Sequence, residues 1–166
     1  MIRVIVNATP VIGLSKIGKL NLLWELFDEV YISEEAMKEV VAVSEVKSDG
    51  KEELERAVHN EKIIKYCVKD KAIIEKLYGK LHKGELETII GGQELEVDFV
   101  IIDEIGARNL AKIFSLIPVG IIGILVMAKK AGLITEIKPL IEKLVENNFR
   151  LSKQLIIEVL KEAGEN

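Results

Sequence analysis

A hard divalent cation takes oxygen ligands, and the chain has 27 Asp and Glu from which to supply them. The oxygen donors whose positions matter are those that a fold would gather. Asn7 follows the β-branched run at 2–6, Glu85 lies at the start of a helical stretch, and Asp103-Glu104 follows the apolar run at 97–102. In an open parallel sheet, ligands bind beyond the C-terminal ends of the strands, where groups at 7 and 103–104 would meet. Carboxylates held there can bind a cation that polarises a phosphate and activates water. Each position also has a plainer reading. Glu85 and Glu87 suit the first turn of a solvated helix, with Glu87 facing another direction. Asp103 suits an N-cap or turn for the next helix, and Asn7 an Asx-turn. Arg108 and Lys112 are spaced to balance Glu104, and Lys80, His82 and Lys83 form either a charged connector or contacts to a phosphate backbone. His59 and His82 have no partner at metal-ligand spacing, and Cys67 reads as a small buried residue in a strand.

The elements that must position these residues alternate. A strand at 2–6 leads to a helix capped by Thr9, with Pro10 at its first position and its end near Gly18. Leu20, Leu23, Trp24 and Phe27 form one apolar helix face, and a strand at 30–32 precedes a helix capped by Ser33 with Glu34 and Glu35 behind it. Residues 44–61 read as a polar, mobile loop and an exposed helix broken at Gly50. A strand at 63–68 and a helix capped by Asp70 follow; the helix from Gly84 should fray around Gly91-Gly92. The run 97–102 is the clearest central strand, because a strand covered on both faces is nearly all apolar. A helix at 107–114, a strand at 117–119 and helices at 122–131, 136–146 and 152–161 complete the chain. This alternation predicts one α/β domain over 1–166 with a mainly parallel sheet, on which the helices of 136–166 pack. The last of them, with Leu155, Ile156, Val159 and Leu160 on one side, could also serve a homodimer or partner.

The order of these segments resembles the PIN-domain superfamily, most closely its DUF3368-type, toxin-like branch of bacteria and archaea. The residues that carry the likeness are Asn7-Ala8-Thr9-Pro10, Gly84-Glu85-Leu86-Glu87-Thr88-Ile89, Phe99 through Arg108, and Val119-Gly120-Ile121-Ile122-Gly123, together with the turn from Asn148 to Ser152. The resemblance implies a three-layer fold, with four or five mainly parallel strands between helices, and a Mg²⁺- or Mn²⁺-dependent endoribonuclease. It implies RNA as substrate and a small antitoxin protein as partner. Its metal-ligand acids fall on Asn7, Glu85 and Asp103, with Glu104 beside them; Thr9 matches its hydroxyl residue and Arg108 its basic residue. Two positions depart from the pattern. Asn7 stands where the pattern has Asp, which weakens cation recruitment by one charge. Ile121 stands where a small hydroxyl residue between two glycines would orient ligands. A weakly bound metal and a degenerate RNA- or protein-binding module therefore compete as expectations. A phosphoacceptor receiver domain shares the layout, but the chain lacks an acid pair after the first strand and a Lys after the last.

Composition limits the alternatives. Half the residues are apolar, which excludes general disorder, and a single Cys excludes a disulfide scaffold. The longest greasy stretch, 117–128, is broken by Pro118 and is shorter than a membrane span needs. No signal-peptide pattern opens the chain, so a cytoplasmic protein is expected. The excess of Ile, Glu and Lys over Gln and Cys suggests a thermophilic source. A net charge of −4 excludes a generic nucleic-acid coat but not a local RNA site.

Overall fold

The computed structural model describes residues 1–44 and 50–166. Five parallel strands, β1 (Arg3–Val6), β2 (Glu29–Ser33), β3 (Ile64–Tyr66), β4 (Phe99–Ile101) and β5 (Pro118–Val119), form one sheet in the order β3-β2-β1-β4-β5. The middle strand is therefore β1, and β4 beside it is interior but only three residues long. Alternation along the strands divides the core. Val4, Val6, Val30, Ile32 and Ile101 pack with α1 (Ala8–Lys16), α2 (Leu22–Leu26), α3 (Glu34–Ser44), α4 (Lys51–His59), α8 (Ile121–Lys130), α9 (Lys138–Glu146) and α10 (Lys153–Glu162). Ile5, Val100 and Ile102 face the other way, against α6 (Lys83–Leu95) and α7 (Ile105–Ile113), with α5 (Lys71–Leu77) packed on α6. Two helical layers thus enclose the sheet, the architecture a fully parallel sheet requires.

Local chemistry explains several helix starts. Ser33 Oγ accepts from Ala36 N at 3.1 Å and Asp70 from Ile73 N at 3.1 Å, both as their sequence positions predict. At the first helix the cap is Asn7 rather than Thr9, because the chain turns directly on leaving β1 and Asn7 N is still bonded to Ile101 O. The apolar face at 20–27 reduces to one short helix over Leu22–Leu26, though Leu20, Leu23 and Phe27 are all buried.

Of the segment 44–61, expected to hold a mobile loop, residues 45–49 lie outside the described residues. The helix within it is not simply exposed: Leu54 and Ala57 of α4 enter the core. The strand expected over 63–68 is confined to β3, and Cys67 beyond it is exposed rather than buried. Nor does α6 fray at Gly91-Gly92. A Cβ on Gly92 would lie 3.1 Å from Val100 Cγ2 and 3.2 Å from Ile5 Cγ2, so the two glycines let the helix run close against β1 and β4. Among the described residues no helix is long and apolar enough to cross a membrane.

Candidate functional site

The parallel arrangement sends β1, β4 and β5 out at one sheet edge. Asn7 follows β1 directly, Asp103 lies two residues beyond β4, and Gly120 follows β5. The bonds Asn7 N to Ile101 O and Ile102 N to Val119 O, both 2.9 Å, tie these exits together. Across the edge lie the first turns of α6 and α3.

Asp103 is held through one carboxylate oxygen only. Its Oδ1 accepts from Ile121 N at 3.0 Å, while its Oδ2 is buried with no hydrogen-bond partner among the described residues. Burial pushes its carboxyl above the usual range, against the Ile121 bond and the nearby Arg108 charge. Arg108 donates to Ile102 O at 3.2 Å rather than pairing with Glu104. A side chain at Gly120 would meet both Asp103 Oδ1 and the Arg108 guanidinium. Ile121 is fully buried, so the orienting donor at that position is its backbone N–H rather than a hydroxyl.

Glu85 is buried and accepts from His82 N at 3.2 Å in a capping box at the start of α6, contrary to a solvated first-turn acid. Burial raises its pKa, the His82 bond opposes this, and repulsion from Glu104 adds to it. Glu104 is exposed and is itself the N-cap of α7, accepting from Ala107 N at 2.6 Å, a role the sequence offered to Asp103. Glu87 points elsewhere, as its spacing predicts, but it too is buried: it accepts from Glu35 N at 3.2 Å and Lys71 Nζ at 3.1 Å.

Two further residues join the cluster that sequence reading did not select. Glu39 of α3 accepts from Gly84 N at 3.2 Å, and its pKa is raised by burial first and by repulsion from Glu85 in addition. A Cβ on Gly84 would push the Glu39 carboxylate away from the position that Gly84 N–H holds. Thr88 is fully buried, donates to Gly84 O at 2.7 Å and approaches Asn7 Oδ1 at 3.4 Å. Asn7, Thr88, Glu85 and Glu39 thus form a chain of neighbours across the edge. The signals for the added pair were faint: Thr88 is the one hydroxyl in an apolar stretch, and Glu39 lies on the second turn of a helix leaving the same edge.

The remaining predicted residues are peripheral. Thr9 is exposed and turned into an open groove. Lys80 is exposed, while Lys83 is engaged by Glu75 at 3.4 Å and by the Tyr78 ring.

All these donors are hard oxygens, as a small divalent cation demands, and Asp103 Oδ2 is an acceptor whose lost hydrogen bond costs about 1–3 kcal/mol. Among the described residues, however, no three His, Cys, Asp or Glu side chains converge closely enough to hold a metal ion. The donor set fits a cation in chemistry, with the acids held apart and Glu85 repelled by Glu104 and Glu39 by Glu85.

A family model described as a PIN domain, DUF3368, matches residues 3–165. No curated protein and no solved structure matches the chain.

Proposed function

Because the chain belongs to the PIN-domain family of the DUF3368 type, we propose that it is a single-domain, divalent-metal-dependent endoribonuclease. The observation that carries the proposal is Asp103 Oδ2, a buried carboxylate oxygen without a donor among the described residues, at a strand-end edge shared with Glu85, Glu39 and Asn7. Mg²⁺ or Mn²⁺ would be held by Asp103, Glu85 and Asn7, with Glu39 as an added ligand and Glu104 close by. Bound there, the cation would supply charge for the transferring phosphoryl group and a water of lowered pKa.

The protein's own groups have separate tasks. Ile121 N–H fixes one oxygen of Asp103 and leaves the other, buried oxygen as the acceptor for the cation. Arg108 supplies positive charge beside Asp103, where it can meet a phosphate oxygen. His82 N–H and Gly84 N–H hold Glu85 and Glu39 in place against their repulsion. Asn7 contributes an amide oxygen and no charge, so affinity for the cation is weak.

The toxin-like branch that the motif order resembles supports extending the reading to the toxin of a toxin–antitoxin pair, with a small protein antitoxin, acting in the cytoplasm. The direct test is cleavage of RNA with Mn²⁺, with EDTA, and in Asp103→Asn. Cleavage should require the metal and vanish in the variant; metal-independent or variant-insensitive cleavage contradicts the proposal.

Asn7 favours a second reading, a PIN-like module that binds RNA or protein without cutting. Cleavage by the parent chain rejects it, whereas cleavage seen only in Asn7→Asp supports it.

A further inference from the structure

One groove lies outside the acid cluster yet begins on the same helical turn. It has a volume of about 370 Å³ and is lined by Thr9, Lys16, Asn147, Asn148, Phe149 and Arg150. Thr9 is two residues beyond Asn7 on the first turn of α1, and Lys16 ends that helix about 10 Å further along the axis. The opposite wall is the turn between α9 and α10.

The groove is built at a close approach. A Cβ on Gly13 would come within 2.7 Å of both Ile121 Cδ1 and Phe149 Cζ, so α1, the start of α8 and the turn meet at one point. Ile121 is the residue whose N–H holds Asp103, which joins the wall of the groove to the acid cluster. Asn148 adopts a left-handed backbone, φ 66°, which Asn tolerates and which shapes the turn.

Its chemistry is one-signed. Lys16 and Arg150 make no ion pair or side-chain hydrogen bond among the described residues, and no acid lines the groove. Asn147 donates its amide to Lys143 O at 2.7 Å, which leaves its oxygen as an acceptor, and the Asn148 amide is exposed. The Phe149 ring is half-buried along one wall. Cations that track a backbone, an aromatic ring and amides able both to donate and to accept are the elements of a single-strand nucleic-acid track. An acidic peptide would use the cations but has no need of the ring or of amide acceptors.

The geometry points to this groove as the track that carries a single RNA strand to the acid cluster, with Lys16 and Arg150 on its phosphates. The inference rests on the ribonuclease reading for its direction, but binding can be measured apart from cleavage. The probe is a fluorescein-labelled oligouridine of about a dozen nucleotides, titrated with the full chain in EDTA across a salt series. Lys16→Gln combined with Arg150→Gln should weaken binding roughly twentyfold at about 0.1 M salt and make the salt slope shallower by about 1.4. Lys112→Gln combined with Lys130→Gln, the same charge change elsewhere, should leave the slope unchanged. Arg150→Gln alone, at an exposed side chain, should give about half the slope change and guards against misfolding of the double variant. The inference is overturned if the groove variants match the control pair, if the parent chain does not bind oligouridine, or if only an oligoglutamate peptide loses affinity. A parent that cleaves RNA while the groove variants bind normally removes the groove alone. A parent that binds through the groove and never cleaves removes the ribonuclease reading alone.

Discussion

Asn7 concentrates the chemistry of this molecule in one missing charge. One more unit charge near a bound divalent ion is worth several kcal/mol before desolvation is counted, so Asn7→Asp should tighten Mn²⁺ binding by at least about tenfold, read by calorimetric titration. Unchanged affinity would remove Asn7 from the ligand set. The raised pKa of Glu85 makes a second expectation, and its sign follows from linkage. A carboxyl whose folded-state pKa lies above its unfolded value is easier to ionise once unfolded, so its ionisation costs the fold stability as pH rises from the unfolded value through the folded one. Glu85→Gln should therefore raise the melting temperature of the metal-free chain near pH 7, by about 2–4 °C if the gain is of order 1 kcal/mol, and the gain should fade below pH 4. A variant that melts lower at both pH values contradicts a repelled acid. Asn7, Glu85, Asp103 and Glu104 were legible as strand-end or helix-start positions. Glu39 was not, because its place depends on β2 pairing beside β1 and on α3 packing against α6, neither of which any local pattern encodes.

Elements were legible where one periodicity dominated and less so where packing overrode propensity. The alternating strands and the caps at Ser33 and Asp70 follow from local chemistry. The glycines of α6 show the opposite case. Each Gly in a helix interior costs about 1 kcal/mol relative to Ala, which predicts fraying, yet α6 continues because Ile5 and Val100 occupy the space a Cβ would take. Ile5 and Val100 are fully buried in interior strands and have little room to retreat. Gly91→Ala combined with Gly92→Ala should thus lower stability by about 1–3 kcal/mol of overpacking despite the better helix propensity, measured by urea unfolding. Increased stability would show that the strands can yield. The cap at Asn7 rather than Thr9 has a similar origin: the ladder bond from Asn7 N to Ile101 O fixes where the strand stops.

At the scale of the molecule, the C-terminus closes the fold through Glu165. Burial would raise its pKa, but bonds from Lys129 Nζ, Ile137 N and Lys138 N outweigh this and hold it at about 2. A carboxyl lowered on folding stabilises above its unfolded pKa and loses that contribution as pH falls toward the folded one. Thermal melts should therefore show the parent losing stability between about pH 4.5 and 2, with a shallower loss in Glu165→Gln. Equal slopes would exclude the clamp. An α/β domain with a mainly parallel sheet was readable from alternation, and the three layers from the family resemblance, whereas this tie needed the distance from Glu165 back to the start of α9, which spacing cannot reveal.

Whether the strand-end acids gather a divalent cation can be read from an anomalous difference map of a crystal soaked in Mn²⁺. The map should show a peak bonded to Asp103 Oδ2, with Glu85 and Glu39 drawn toward it, that disappears in Asp103→Asn. A map without density at that oxygen, at Mn²⁺ concentrations that saturate exposed carboxylates, would contradict it.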